Sequence, residues 1–220
     1  MEGGNEKFPI FTDFVFSIFI FSFFNRFNKI YTYLVQSWVD RGQKNSTPND
    51  ATKDFFVQPP IARVPSNSGL DIKIIYSGAN IDINKDRETL FYINVAQIPP
   101  TAKNNNSSGQ NMISFIVRHK MKLFFRPESI KNQVFSTKQI SFYVKNNQLY
   151  VKNNSPFYTT FQSLKTNTGL NFNSDMVAPF SEKQLKAQSG KTNNISTFSW
   201  IEYNYVNDIG KFVTEKFYKK

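Results

Sequence analysis

The chain has 220 residues, enough for one large domain or two of roughly 100 residues each; with 40% hydrophobic, 16% aromatic and only 20% charged residues, its composition excludes a disordered chain. Cysteine is absent, which excludes disulfides, thiolate metal sites and cysteine nucleophiles together. A formal net charge of +11 would suit nucleic acid or an anionic membrane; however, Lys and Arg are scattered apart from short clusters such as Arg118-His119-Lys120 and Lys219-Lys220, no aromatic RNA-binding motif accompanies them, and no nucleic-acid partner is expected.

The first predicted element is Phe8–Phe24, FPIFTDFVFSIFIFSFF, which carries a single charge, Asp13. It lacks the basic start and small-residue cleavage site of a signal peptide. It is also shorter than the stretch of about 20 apolar residues that spans a bilayer. Its aromatic and β-branched content predicts a strand pair buried on both faces. Tyr31–Val39 alternates as a strand, and Asp40–Lys53 reads as a turn-rich loop. Further strands are predicted at Phe55–Gln58, Leu70–Tyr76, Thr89–Gln97, Met112–Phe125, Gln139–Val144, Gln148–Val151, Tyr158–Thr166 and Ile195–Tyr205, separated by Pro, Gly and Asn. This spacing is that of an all-β sandwich. No stretch shows a capped helical stripe, and no fixed-period repeat occurs. The Asn-rich run Asn104–Gln110 reads as a flexible hairpin connection. A long strand ends at Arg126-Pro127-Glu128, because proline cannot continue a ladder; this predicts two domains, 1–126 and 127–220.

Nothing in the chain points to catalysis. His119 is the only histidine, no phosphate-cradling GxxxxGK or GxGxxG occurs, and no motif pairs two carboxylates. The expectation is a binding protein with no enzymatic activity, no metal and no cofactor.

Ile83–Pro100, INKDRETLFYINVAQIPP, resembles the signature segment of the periplasmic pilus (fimbrial) assembly chaperones of the chaperone-usher pathway. Ile113–Pro127, ISFIVRHKMKLFFRP, is similar to that family's edge strand, and YLVQSWVD at Tyr33–Asp40, MVAPFS at Met176–Ser181 and YVNDIG at Tyr205–Gly210 are similar to further family segments. The resemblance implies an all-β protein of two immunoglobulin-like β-sandwich domains in a boomerang arrangement. It implies that the first domain's last strand is lent to an incomplete pilin subunit by donor-strand complementation, with Ile113, Phe115 and Val117 pointing into the partner's groove. Without the resemblance, residues 113–117 read as ordinary sandwich core.

Lys122 matches the family lysine that holds the subunit's C-terminal carboxylate, a charge-assisted contact. Asp13 falls at the position of the family's first-strand arginine, and a carboxylate there would repel what the arginine attracts. Glu88, Arg126 and Asp208 match a salt-bridge network between the domains. The implied partners are pilin subunits and an outer-membrane usher, the implied compartment is the periplasm, and self-association through the edge strand stays open. The connection between the first domain's last two strands is short by family standards, which points to rod-like pili. Three alternatives remain at this point: a degenerate chaperone with impaired subunit binding, a structural pilus or adhesin subunit, and a version anchored in the membrane by Phe8–Phe24.

Overall fold

The computed structural model describes residues 10–12, 18–24, 32–78, 83–100, 115–173, 175–188 and 195–219, the first two stretches by their backbone pairing alone. Asp13, Ile113 and the connection Asn104–Gln110 lie outside the described residues. The described chain forms two compact units, one from Pro9–Ile83 with Thr89–Phe125 and the other from Asn84–Glu88 with Arg126–Lys220.

The first unit contains strands β1 (Ile10–Thr12), β2 (Ile18–Phe24), β3 (Tyr33–Asp40), β4 (Phe55–Gln58), β5 (Ile61–Val64), β6 (Gly69–Tyr76), β7 (Thr89–Ile98) and β8 (Val117–Arg126), the last except for its final residue, Arg126, which belongs to the second unit. They make a five-stranded sheet in the order β1-β8-β7-β3-β5 and a three-stranded sheet in the order β2-β6-β4. The Phe-rich segment therefore supplies two strands but not a strand pair. β1 joins β8 in one sheet, and β2 pairs antiparallel with β6 in the other, from Ile18 opposite Ile75 to Phe24 opposite Gly69. A seven-residue register with a long partner satisfies more backbone groups than a hairpin with three-residue β1 could.

Alternation fixes what faces inward. On β7, Phe91, Ile93 and Val95 are buried, and on β8 so are Leu123 and Phe125; they close a core with Val35, Val39, Phe55, Ile72 and Ile74. Fully burying one such side chain contributes roughly 1.5–3 kcal/mol. Phe55 meets Phe91 edge-on at 4.9 Å between ring centroids, an arrangement favoured by the ring quadrupoles.

The second unit contains β9 (Ile140–Lys145), β10 (Gln148–Asn153), β11 (Thr159–Thr166), β12 (Asn171–Phe172), β13 (Asp175–Val177), β14 (Ser181–Gln184), β15 (Trp200–Val206) and β16 (Phe212–Tyr218). One sheet runs β14-β10-β9; the other runs β12-β11-β15-β16, with β13 also on β11. β9 and β10 are joined through Asn146 and Asn147, both with positive φ (51° and 57°), the backbone of a tight turn that asparagine tolerates. Phe142, Leu149, Val151, Phe161, Leu164, Phe172 and Ile201 fill this second core.

Relative to the sequence expectations, β5, β12, β13, β14 and β16 are additional strands. β8 begins at Val117, five residues later than expected, and β15 begins at Trp200, because Ile195 packs into the core from a loop. Among the described residues the helical segments are three-residue 3-10 turns, and no helix is long and apolar enough to cross a membrane.

Candidate functional site

Two groups of residues stand out, one in each unit. In the first, β8 pairs with β7 along its length, from Gln97 opposite Val117 to Thr89 opposite Phe125. Among the described residues its other neighbour is the three-residue β1. A long strand with a short partner on one edge offers unpaired backbone groups to an incoming strand. The residues leading into it are apolar and solvent-exposed: Phe115 is 76% exposed, Ile116 63% and Val117 49%. They are therefore not sandwich core. Exposing three consecutive large apolar side chains is the kind of feature that marks a contact surface.

Further along β8, Lys122 is half-buried and stands opposite Tyr92. Because Met121 and Leu123 pack on the core, alternation puts Lys122 on the opposite face of the sheet, together with Lys120 and Arg118.

The second group centres on Arg126. Its Nε and Nη2 donate to Glu88 Oε1 at 2.9 and 2.8 Å, while Nη1 and Nη2 donate to Asp208 Oδ2 and Oδ1 at 2.8 and 3.1 Å. Phe157 lies under the guanidinium, 4.4 Å from its carbon to the ring centroid. The planar fork satisfies two carboxylates at once, which a lysine could not do. Glu88, Arg126 and Asp208 all lie within the second compact unit.

Local sequence explains how Glu88 is held. Its second carboxylate oxygen, Oε2, accepts from the Tyr158 backbone N–H at 2.7 Å, and its own N–H donates to Pro156 O at 2.9 Å. The segment 154–158 is in turn fixed by Asn153, whose side chain is fully buried. Asn153 Nδ2 donates to Phe157 O at 2.7 Å, and its Oδ1 accepts from Ser155 N and Ser155 Oγ at 2.9 and 2.6 Å. The N-x-S-P order of residues 153–156 carries this turn chemistry and is a signal from which the arrangement could have been read.

Burial pushes the Glu88 carboxyl above its ordinary value, and the Arg126 charge and the Tyr158 N–H only partly offset this. Burial alone would lower Arg126, but its hydrogen bonds to Asp208 and the charge of Glu88 outweigh that and raise it. The set is structural in character: a buried ion pair whose carboxylates are occupied by a cation has no free base to offer. Among the described residues no group of three or more His, Asp or Glu could hold a metal ion.

Two helix-poor antiparallel sandwiches, the first ending in a long strand that has an exposed apolar lead-in and, among the described residues, only the three-residue β1 on its outer side, define a binding protein of the immunoglobulin-like class. Residues 24–131 match the family model for the pili and flagellar-assembly chaperone PapD N-terminal domain, and residues 136–217 match that for the pili assembly chaperone PapD C-terminal domain. The chain is 31% identical to the chaperone protein MrkB of Klebsiella pneumoniae over 185 residues, 83% of this chain and 77% of MrkB. It is also 31% identical to the probable fimbrial chaperone YadV of Escherichia coli K12, over 80% of this chain and 74% of YadV.

Solved structures share the fold. The Pseudomonas aeruginosa CupB2 chaperone superposes with a TM-score of 0.73 at 24% identity, covering 98% of this chain and 99% of its own. The Salmonella enterica chaperone SafB, solved in complex with the SafA pilin, superposes with a TM-score of 0.71 at 24% identity, covering 98% and 94%. The chain belongs to the family of pilus assembly chaperones, an all-β, non-enzymatic family built from two immunoglobulin-like domains. The match to the N-terminal family model begins at residue 24, so Asp13 lies outside the matched span.

Proposed function

We propose that this pilus assembly chaperone works in the periplasm, where members of its family act, completing strand-deficient pilin subunits with its own β8 and passing them to an outer-membrane usher. The observation that carries this reading is the exposed apolar lead-in Phe115-Ile116-Val117 on a ten-residue strand whose outer neighbour, among the described residues, is only three residues long. An incoming subunit would gain main-chain hydrogen bonds from the strand and bury alternate side chains, of which Ile113, Phe115 and Val117 are the set.

In this reading Lys122 holds the subunit's terminal carboxylate, and Asp13, in place of the family arginine, weakens that hold. The domains divide as 1–126 and 127–220, a cut that differs from that of the two compact units, and across it Glu88 and Arg126 on one side and Asp208 on the other serve as the interdomain salt bridge. Pro127, which directly follows the end of β8, supports the division. SafB, caught with the SafA pilin, supports pilin subunits as the partner class.

The test is capture from a panel of strand-deficient pilin subunits that includes SafA, using the natural chain, Lys122→Ala and Asp13→Arg. A one-to-one complex that Lys122→Ala abolishes and Asp13→Arg strengthens is the expected result. Failure of every form to capture any subunit would overturn the reading.

A further inference from the structure

The loop that follows β3 does not stand away from the sheet. Residues 41–47 fold back over the outer face of the first unit's larger sheet, where three of their backbone carbonyls meet two cations from β8. Arg118 Nη1 donates to Ser46 O and Nη2 to Lys44 O, the latter at 2.9 Å. Lys120 Nζ donates to Gln43 O at 2.6 Å, and its ammonium sits 4.8 Å from the centre of the Tyr92 ring. These contacts span more than 70 residues of sequence.

The loop is locked from its own side as well. Asp40 is completely buried; one carboxylate oxygen accepts from Gly42 N at 2.7 Å and lies 3.5 Å from Lys120 Nζ, while the other accepts from Asn94 Nδ2 at 2.8 Å. Ser46 is buried, and its hydroxyl accepts from Trp38 Nε1 at 2.8 Å. Gly42 makes the close approach to the sheet with φ +101°, and a Cβ there would stand 2.9 Å from Tyr92 Cε2. Sheet, loop and strand are thus joined through Asp40, Asn94, Ser46, Lys120 and Arg118.

Arg118 and Lys120 occupy the first half of β8, directly after the exposed residues 115–117 and on the face turned away from the core. That is the first end of the strand, and strand ends are where pairing frays. Charge-assisted hydrogen bonds to three fixed carbonyls hold it down without touching the face that alternation assigns to Phe115 and Val117.

We propose that Arg118 and Lys120 are positioning residues: with the 41–47 loop they clamp the leading half of β8 in an extended conformation, so that the apolar segment reaches a pilin subunit already ordered. The inference rests on the reading of β8 as the subunit-binding strand and adds to it a separate task for the first two cations of the face that also carries Lys122. Ordering the strand beforehand removes a conformational cost that binding would otherwise carry.

The experiment uses the full chain and two readouts, amide hydrogen exchange of the free protein and capture of the pilin panel named above. Lys120→Met and Arg118→Met keep the aliphatic stems and remove the donors. Each is expected to speed exchange at residues 117–120 by about tenfold or more beyond any change at the β6 and β7 core amides, and to weaken subunit capture by a similar factor. Arg118→Lys, which retains a cationic donor, is expected to restore part of both. Gly42→Ala, which displaces the loop without altering any side chain of β8, is expected to reproduce both effects.

Weakened capture with unchanged exchange in the free protein would mean that the two cations touch the subunit directly, and would overturn the clamp. Faster exchange with undiminished capture would overturn it equally. If the natural chain captures no subunit, the reading of β8 fails and the clamp's role in binding fails with it. Capture that the natural chain shows and these variants retain defeats the clamp alone.

Discussion

Removing Arg126 is the sharpest test of how the second unit is held. The guanidinium makes four hydrogen bonds to two carboxylates of very different exposure: the Glu88 side chain is 3% exposed and the Asp208 side chain 53%. Arg126→Met strands Glu88 in the interior with only the Tyr158 N–H for company. Breaking a buried pair by deleting one partner costs about 3–5 kcal/mol. Asp208→Asn, at a half-exposed site screened by water, should cost about 1 kcal/mol or less. With a urea m-value of about 2 kcal/mol/M, the first change moves the unfolding midpoint by about 2 M and the second by about 0.5 M or less. Trp200 lies in this unit and the other tryptophan, Trp38, in the first, so a Trp38→Phe background lets indole fluorescence follow the second unit alone.

Two further measurements sharpen the test. Glu88→Gln/Arg126→Met, which removes both charges, should recover a large part of the loss. Because burial holds the folded Glu88 carboxyl above its usual value near 4.5, Glu88 favours the folded state below that value, and this contribution is lost as pH rises through the raised folded value. Arg126 is one of the groups that lower it, so Arg126→Met raises it further, and the variant's deficit should shrink on acidification from pH 8 to pH 5. A deficit that is independent of pH, or an Asp208→Asn loss as large as that of Arg126→Met, would refute the reasoning.

Three other outcomes are expected. Phe115→Ser, at a site 76% exposed, should shift stability by no more than about 0.5 kcal/mol while weakening pilin capture, as compared by urea unfolding and pull-down. Leu149→Ala, at a fully buried position in the second core, should cost about 2–5 kcal/mol in the same unfolding assay. The Tyr143 hydroxyl donates to Glu182 at 2.7 Å, and that bond holds its pKa up to about 12; Glu182→Gln should bring it back toward 10 in an ultraviolet titration at the tyrosinate band.

The parts of the fold legible in the sequence are those where burial follows alternation. β7, with Phe91, Ile93 and Val95 inward, is marked by its own pattern, and its strand runs within a residue of the expected bounds. β16 is not so marked. Its inward positions are Val213, Glu215 and Phe217, and a glutamate in the middle of the inward set leaves apolar residues in adjacent pairs at 212–213 and 217–218, with no period of two. β12, β13 and β14 have two to four residues each and are set by the neighbours that receive them, chiefly β11 and β10, so no local signal distinguishes them. Phe8–Phe24 shows strand content plainly, yet the assignment of its two strands to different sheets depends on β6 and β8, far along the chain.

The sites divide in the same way. Arg126 meets partners 38 and 82 residues away, a separation no pattern within one window can span; the resemblance of three separate motifs to one family supplies what local reading lacks. Asp40 is the opposite case. Standing at the head of the polar run Asp40–Lys53, it reads as the first residue of a solvated loop, but it is completely buried, because the loop turns back at Gly42 and covers it. What makes that burial tolerable is a cation from β8, Lys120, and a loop backbone whose carbonyls are spent on the same strand. A polar loop is thus packed where its carbonyls find fixed donors, and the donors here belong to β8. Arg118 and Lys120 on one side and Phe115 and Val117 on the other are adjacent in sequence but face different surroundings, because a two-residue period turns them to opposite faces of the chain.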